Sequence, residues 1–239
     1  MSDRKRWLVV VVYALAMAWV ESAVVLYLRT MLHRLDPYQA NPMPMIGNLG
    51  WVEVAREGAT LIMLLTVGVL AGSTWRRRLG FTAIAFGVWD IFYYVFLKVM
   101  CGWPNTLMAW DVLFLIPLPW WGPVLSPMLI AMLMIIWGTL VTQFERTAPP
   151  MQPEIVAWGT GLAGAVVALR VFMADAMAAM PHVEMAMRNV LPKTFNWPLF
   201  GVGLMLMAAP VAQSAWHIWS PRLRPLEQKT PLAENLEIQ

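Results

Sequence analysis

The sequence predicts an all-α, polytopic membrane bundle of about six spanning helices. Three observations carry that prediction. The chain of 239 residues is 59% hydrophobic and only 13% charged, whereas soluble domains carry about 25% charged residues. Its apolar runs are long enough, or nearly so, to cross a hydrocarbon core of roughly 30 Å. Its basic residues cluster beside those runs, where they act as topology signals. A sequence pI near 9.2 is therefore no argument for nucleic acid. The aromatics lie in apolar segments and are not interleaved with basic residues as on a base-stacking platform. The single Cys101 excludes an internal disulfide and a CxxC motif.

The first span is read over 7–28, behind Arg4, Lys5 and Arg6. A basic start, an apolar stretch and Ala14-Leu15-Ala16 also resemble a signal peptide, but the run continues well past that point. An uncleaved helix is expected. A polar, turn-rich stretch follows. The apolar run from Gly58 to Ser73 is only about 24 Å long as a helix. To span, it must recruit the preceding Glu53-Val54-Ala55-Arg56-Glu57, giving a second span over about 54–73. Arg76, Arg77 and Arg78 mark a cytoplasmic turn. The third span, 81–101, carries Asp90 and Lys98. Segment 109–119 is too short to cross, and Pro117, Pro119, Pro123 and Pro127 follow closely. It is expected to be a re-entrant or interfacial half-helix with Trp110, Trp120 and Trp121 at the headgroup level. Pro123 suits the first turn of the fourth span, 122–141. The fifth, 155–174, has Gly159, Gly161 and Gly164 for close helix contact. The sixth, 197–219, has Pro198 in its first turn and Pro210 at an expected kink. A polar tail occupies 221–239. No linker divides the chain, so one membrane domain is expected.

The count of basic residues, ten Lys/Arg on one side and seven on the other, puts both termini in the cytoplasm by the positive-inside rule. The expected location is a bacterial-type inner membrane. With that topology, Glu21, Arg56, Glu57, Asp90, Lys98, Asp111, Arg170 and Asp175 share the outer half of the bundle. Ionisable groups at membrane depth are a functional-site hypothesis by default. Asp90, Tyr94 and Lys98 stand four apart on one helix face, with Trp89 and Tyr93 adjacent. Such a row binds a polar head group or relays a proton. Its structural counterpart is an Asp–Lys chain that glues helices together. Glu53 and Glu57 lie one turn apart with Arg56 beside them. They can hold a cation or serve acid–base chemistry, or Arg56 can simply neutralise Glu57. Asp111, heading the half-helix, also reads as an N-cap.

Asp90, Glu57 and Glu21 are thus the candidate acid, base or charge stabiliser. Tyr94, Lys98, Arg56, Trp89, Asp111 and Arg170 are the candidate substrate contacts. Three His residues exclude a membrane di-iron centre. Met173, Met177, Met180, His182, Met185 and Met187, with Met43 and Met45, offer soft ligands suited to Cu(I). They equally suit the packing of interfacial helices, so no metal ligand is assigned and no cofactor is named. No GxSxG or phosphate-cradling Gly-rich loop is present. The order Trp89-Asp90, Gly102-Trp103-Pro104, then apolar residues with Pro117 and Pro119 resembles small membrane carotenoid-cyclase domains over about 40 residues. That resemblance implies acidic residues acting on isoprenoid substrates. The acidic Pro-x-Glu-Glu signature of that group is missing, and no residue role is carried over from it. Three functions follow as expectations. The first is a membrane enzyme acting on a lipid-like or isoprenoid-like substrate by acid–base chemistry. The others are a small-solute transporter or copper-handling factor, and a non-catalytic scaffold or assembly subunit. The expected partners are membrane lipid, a hydrophobic small molecule and a membrane-protein partner, with no nucleic acid.

Overall fold

The computed structural model describes residues 1–39, 49–144, 155–179 and 191–219. The chain forms a polytopic helical bundle. Among the described residues six helices are long and apolar enough to cross a membrane. They are α1 (Asp3–Met31), α2 (Leu49–Ala71), α3 (Trp75–Cys101), α4 (Leu125–Thr139, continued by a π-turn at Leu140–Phe144), α5 (Ile155–Phe172) and α7 (Trp197–Trp219). A short α6 (Ala174–Ala179) follows α5. Loop residues 145–154, most of the Met/His loop (180–190), Met43, Met45 and the tail lie outside the described residues.

The helix ends follow from local chemistry. Thr74 caps α3 by accepting the Arg77 N–H at 3.3 Å, and Gly102 closes that helix at φ 79°, where its N–H reaches the Lys98 carbonyl. A left-handed residue at that place favours glycine. As the sequence predicts, α2 begins early enough to contain Glu53, Arg56 and Glu57.

The central element is α3, packed against α1, α2 and α4, while α5 pairs with α7. Small residues bring the backbones together. A Cβ on Gly87 would sit 2.5 Å from the Ala131 carbonyl of α4, and one on Gly164 would sit 2.5 Å from the Gly203 carbonyl of α7. Gly161 lies against Pro210, whereas Gly159 faces open space, so only two of the three α5 glycines serve helix contact. Gly87→Val should therefore separate α3 from α4 and destabilise the bundle by about 1–3 kcal/mol, the usual cost of overpacking. Thermal unfolding in detergent measures this. Gly159→Val, facing open space, is the control without a packing clash.

At the end carrying the N-terminus, Arg77 donates to Asp3 at 2.6 Å, Arg6 to the Ala71 carbonyl at 3.2 Å, and Trp7 Nε1 to Thr139 at 3.1 Å. This end is tied shut.

The opposite end differs from the sequence expectation. Segment 109–119 is not a half-helix. Trp110–Phe114 forms β1 and Trp120–Pro123 forms β2, paired antiparallel with Asp111 opposite Gly122. The physical reason is pairing. Two short aromatic-rich segments satisfy each other's backbone groups across the turn at 115–119, where Pro117 and Pro119 would leave a helix short of N–H donors. Irregular backbone in a membrane protein is tolerated where protein buries it. Here Phe114 packs on Trp89, and Trp120 stacks on Phe172 of α5 with a ring angle of 4°. Pro123 ends β2 and does not open α4, which starts at Leu125. Trp121 is 2% exposed, placed in the interior and not at a headgroup surface.

Candidate functional site

The hairpin, the C-terminal halves of α1 and α3 and the N-terminal half of α2 enclose a cavity of about 390 Å³. Helical periodicity sets its walls. On α1 the lining residues are Glu21, Val25, Leu28, Arg29 and Leu32; on α2 they include Glu53, Arg56, Glu57 and Thr60. Both sets follow the three-to-four residue repeat of one helix face. From α3 come Trp89, Asp90, Tyr93 and Tyr94, and from the hairpin Asp111 and residues 112–115 and 117–119.

Two ion-pair systems cross this space. Arg29 Nη2 donates to Asp111 Oδ1 at 2.7 Å, and the Asp111 side chain is 1% exposed. The Arg29 guanidinium also lies 4.0 Å from the centre of the Trp103 ring, a cation–π contact. Val112 N–H donates to the same Asp111 oxygen at 2.9 Å. In the second system Arg56 grips Glu53 through Nε and Nη2, at 2.9 and 2.5 Å, and donates from Nη1 to Glu21. Thr60 completes Glu21 at 3.2 Å. The first system fastens the hairpin to α1, and the second fastens α2 to α1.

The remaining carboxylates are held differently. Glu57, on α2, accepts the Leu115 N–H of the hairpin turn at 2.9 Å. Asp90 is 8% exposed, and its Oδ2 has no hydrogen-bond partner among the described residues. The neighbouring Trp89 indole N–H also has none. A buried polar group without a partner costs about 1–3 kcal/mol, and such exceptions call for a functional account.

Burial pushes the Asp111 carboxyl up from 3.8 to about 6, against the opposing pull of Arg29, the Val112 N–H and the Tyr94 hydroxyl. Partial burial also raises the Asp175 carboxyl, but that residue stands on α6, away from the cavity.

The structure brings Glu21, Arg56, Glu57, Trp89, Asp90, Tyr94 and Asp111 into one cavity wall. It does not bring Lys98 or Arg170 there. Lys98 is exposed and turns back to donate to the Gly102 and Pro104 carbonyls at 2.8 and 2.9 Å. It therefore caps α3 and does not continue the Asp90–Tyr94 row. Arg170 is exposed and points along its own helix toward Met177 Sδ at 3.4 Å. Asp111 is no N-cap: it lies in a strand and forms a buried ion pair. Two participants, Arg29 and Thr60, were not among the sequence candidates. The repeat Glu21-Val25-Leu28-Leu32 on α1, with Arg29 flanking it, was the signal available for Arg29.

Above the cavity, Tyr38 stacks on Trp110 at 5.8 Å and donates its hydroxyl to the Pro192 carbonyl at 2.6 Å. The loop after α1 is thereby joined to the hairpin and to the segment before α7. Among the described residues no group of three or more His, Cys, Asp or Glu converges as a metal site. No family model matches the chain, and no curated protein or solved structure matches it either.

Proposed function

We propose that this protein is a membrane enzyme whose cavity acts on a lipid-like substrate by acid–base chemistry. The observation that carries the reading is Asp90, a buried carboxylate on the wall of a 390 Å³ cavity with one oxygen unpartnered among the described residues. That volume is typical of small-molecule sites, which combine apolar walls with a few polar groups. Val25, Leu28, Leu32, Val54, Leu113 and Leu118 supply the apolar walls. Asp90 and Glu57 are the proposed proton-transfer pair. One takes a proton from the substrate, and the other, protonated at the start, gives one back at a second position. The substrate is isomerised, the two carboxyls together carry one proton before and after, and no oxidant or co-substrate is required. Glu21 and Asp111, already bound to Arg56 and Arg29, are charge stabilisers and wall braces in this scheme. Trp89 and Tyr94 position the substrate. The distribution of basic residues supports a cytoplasmic location for both termini, which places the cavity in the outer leaflet of an inner membrane.

The test compares lipid extracts of cells making wild-type protein, Asp90→Asn or Glu57→Gln at equal membrane abundance. Wild type should alter the level of at least one lipid relative to empty-vector cells, and each variant should lose that change at least tenfold, the common scale of a removed acid or base. Both variants matching wild type would sink the reading.

A second reading, a non-catalytic assembly subunit, is favoured by the two ion-pair systems, which join α1 to α2 and to the hairpin. It predicts unchanged lipids and co-purification of a stable membrane-protein partner that survives Asp90→Asn.

A further inference from the structure

Resting on the proposed amphiphile site, we infer that the group docking between Trp89 and Asp90 is a neutral hydroxyl, so that the ligand is a hydroxylated amphiphile such as a long-chain alcohol or diol. The cavity wall narrows the choice of head group. Five carboxylates line it, from Glu21, Glu53, Glu57, Asp90 and Asp111. Arg29 and Arg56 are each engaged by carboxylates of the wall itself. An anionic phosphate or carboxylate head would meet repulsion there without a cation freed to receive it.

The two polar atoms that lack a partner among the described residues then set the hydrogen-bond requirement. Asp90 Oδ2 calls for a donor, and Trp89 Nε1 is itself a donor calling for an acceptor. Both side chains are more than nine-tenths buried, Trp89 at 6% and Asp90 at 8% exposure, and both belong to the cavity wall. A quaternary ammonium meets neither need. A primary ammonium donates to Asp90 and leaves the indole N–H bare. A hydroxyl donates one hydrogen bond and accepts others, so it answers either group, and a diol answers both at once. The apolar part of the ligand lies against the leucines and valines of α1 and the hairpin. The same placement puts an ionisable carboxyl beside the O–H whose proton it would take.

The experiment uses the full chain in phosphatidylcholine nanodiscs and three probes with a photoreactive diazirine in the tail: dodecanol, dodecylamine and dodecyl phosphate. After photolysis, labelled positions are mapped by mass spectrometry. The alcohol should label residues 21–32 and 112–119 in preference to the other two probes, with unlabelled dodecanol competing. Trp89→Phe keeps the ring and removes the N–H; Asp90→Leu keeps the volume and removes the acceptor. Each should weaken alcohol labelling about tenfold, the scale of one buried hydrogen bond. Preferential labelling by the amine or phosphate, or alcohol labelling untouched by both substitutions, overturns the hydroxyl assignment while the amphiphile reading stands. Absence of cavity labelling by any probe overturns both.

Discussion

Asp90→Leu should abolish lipid conversion and leave the protein as stable as wild type or more so. The expectation comes from what surrounds the carboxylate. Asp90 forms none of the ion pairs found among the described residues, and its Oδ2 is buried without a partner there. Leucine has nearly the same shape and carries no desolvation cost. Replacing buried ionic groups with apolar groups of similar volume is neutral or stabilising by about 1–4 kcal/mol. Thermal unfolding of purified protein reads the stability, and the lipid extract reads the function. Gain in one with loss in the other marks a residue retained for chemistry. A lower unfolding midpoint would mean that Asp90 braces the bundle, as the assembly-subunit reading requires.

Arg29→Met should be the most destabilising substitution at the cavity, and its cost should depend on pH. Removing one partner of a buried ion pair strands the other charge, at about 3–5 kcal/mol. Here the stranded group is Asp111, 1% exposed in its side chain. The sign of the pH effect follows from its carboxyl, which lies at about 6 when folded against an ordinary 3.8. A raised folded value means the folded state holds the proton more tightly. The stability from Asp111 is therefore fully present below about pH 4 and is lost as pH rises through 6. Without Arg29 that loss deepens and extends to higher pH, because the ionised carboxylate has lost its neighbouring cation. The variant should approach wild-type stability near pH 5 and fall well below it at pH 8. Arg29→Met combined with Asp111→Leu should recover most of the loss, since no buried charge remains. Equal destabilisation at both pH values would contradict the assignment.

The spans were legible in the sequence because length and hydropathy decide them. The recruitment of Glu53, Arg56 and Glu57 into α2 followed from the shortfall of its apolar run, and the shared depth of Glu21, Glu57 and Asp90 from the placement of the spans. The hairpin was not legible in the same way. Trp110–Phe114 is a five-residue run with one β-branched residue, short enough for a strand but ambiguous by periodicity alone. Its partner, Trp120–Pro123, holds a Gly and a Pro that disguise a strand. With the hairpin misread, Asp111 looked like a helix cap, and its partner Arg29 looked like an interfacial residue. Lys98 was misassigned for a simpler reason. A spacing of four puts it on the Asp90 face, but a long side chain near a helix end reaches the free carbonyls there.

The central claim is that the hairpin-covered cavity converts an amphiphile through Asp90. It is tested most directly by reconstituting purified protein in nanodiscs made from the lipid extract of its own host membranes, then comparing lipids by mass spectrometry before and after incubation. Wild type should deplete one species and build up an isomer of equal mass and different chromatographic retention, while Asp90→Asn leaves the extract unchanged. A wild-type extract identical before and after, or the same conversion by Asp90→Asn, would contradict the account.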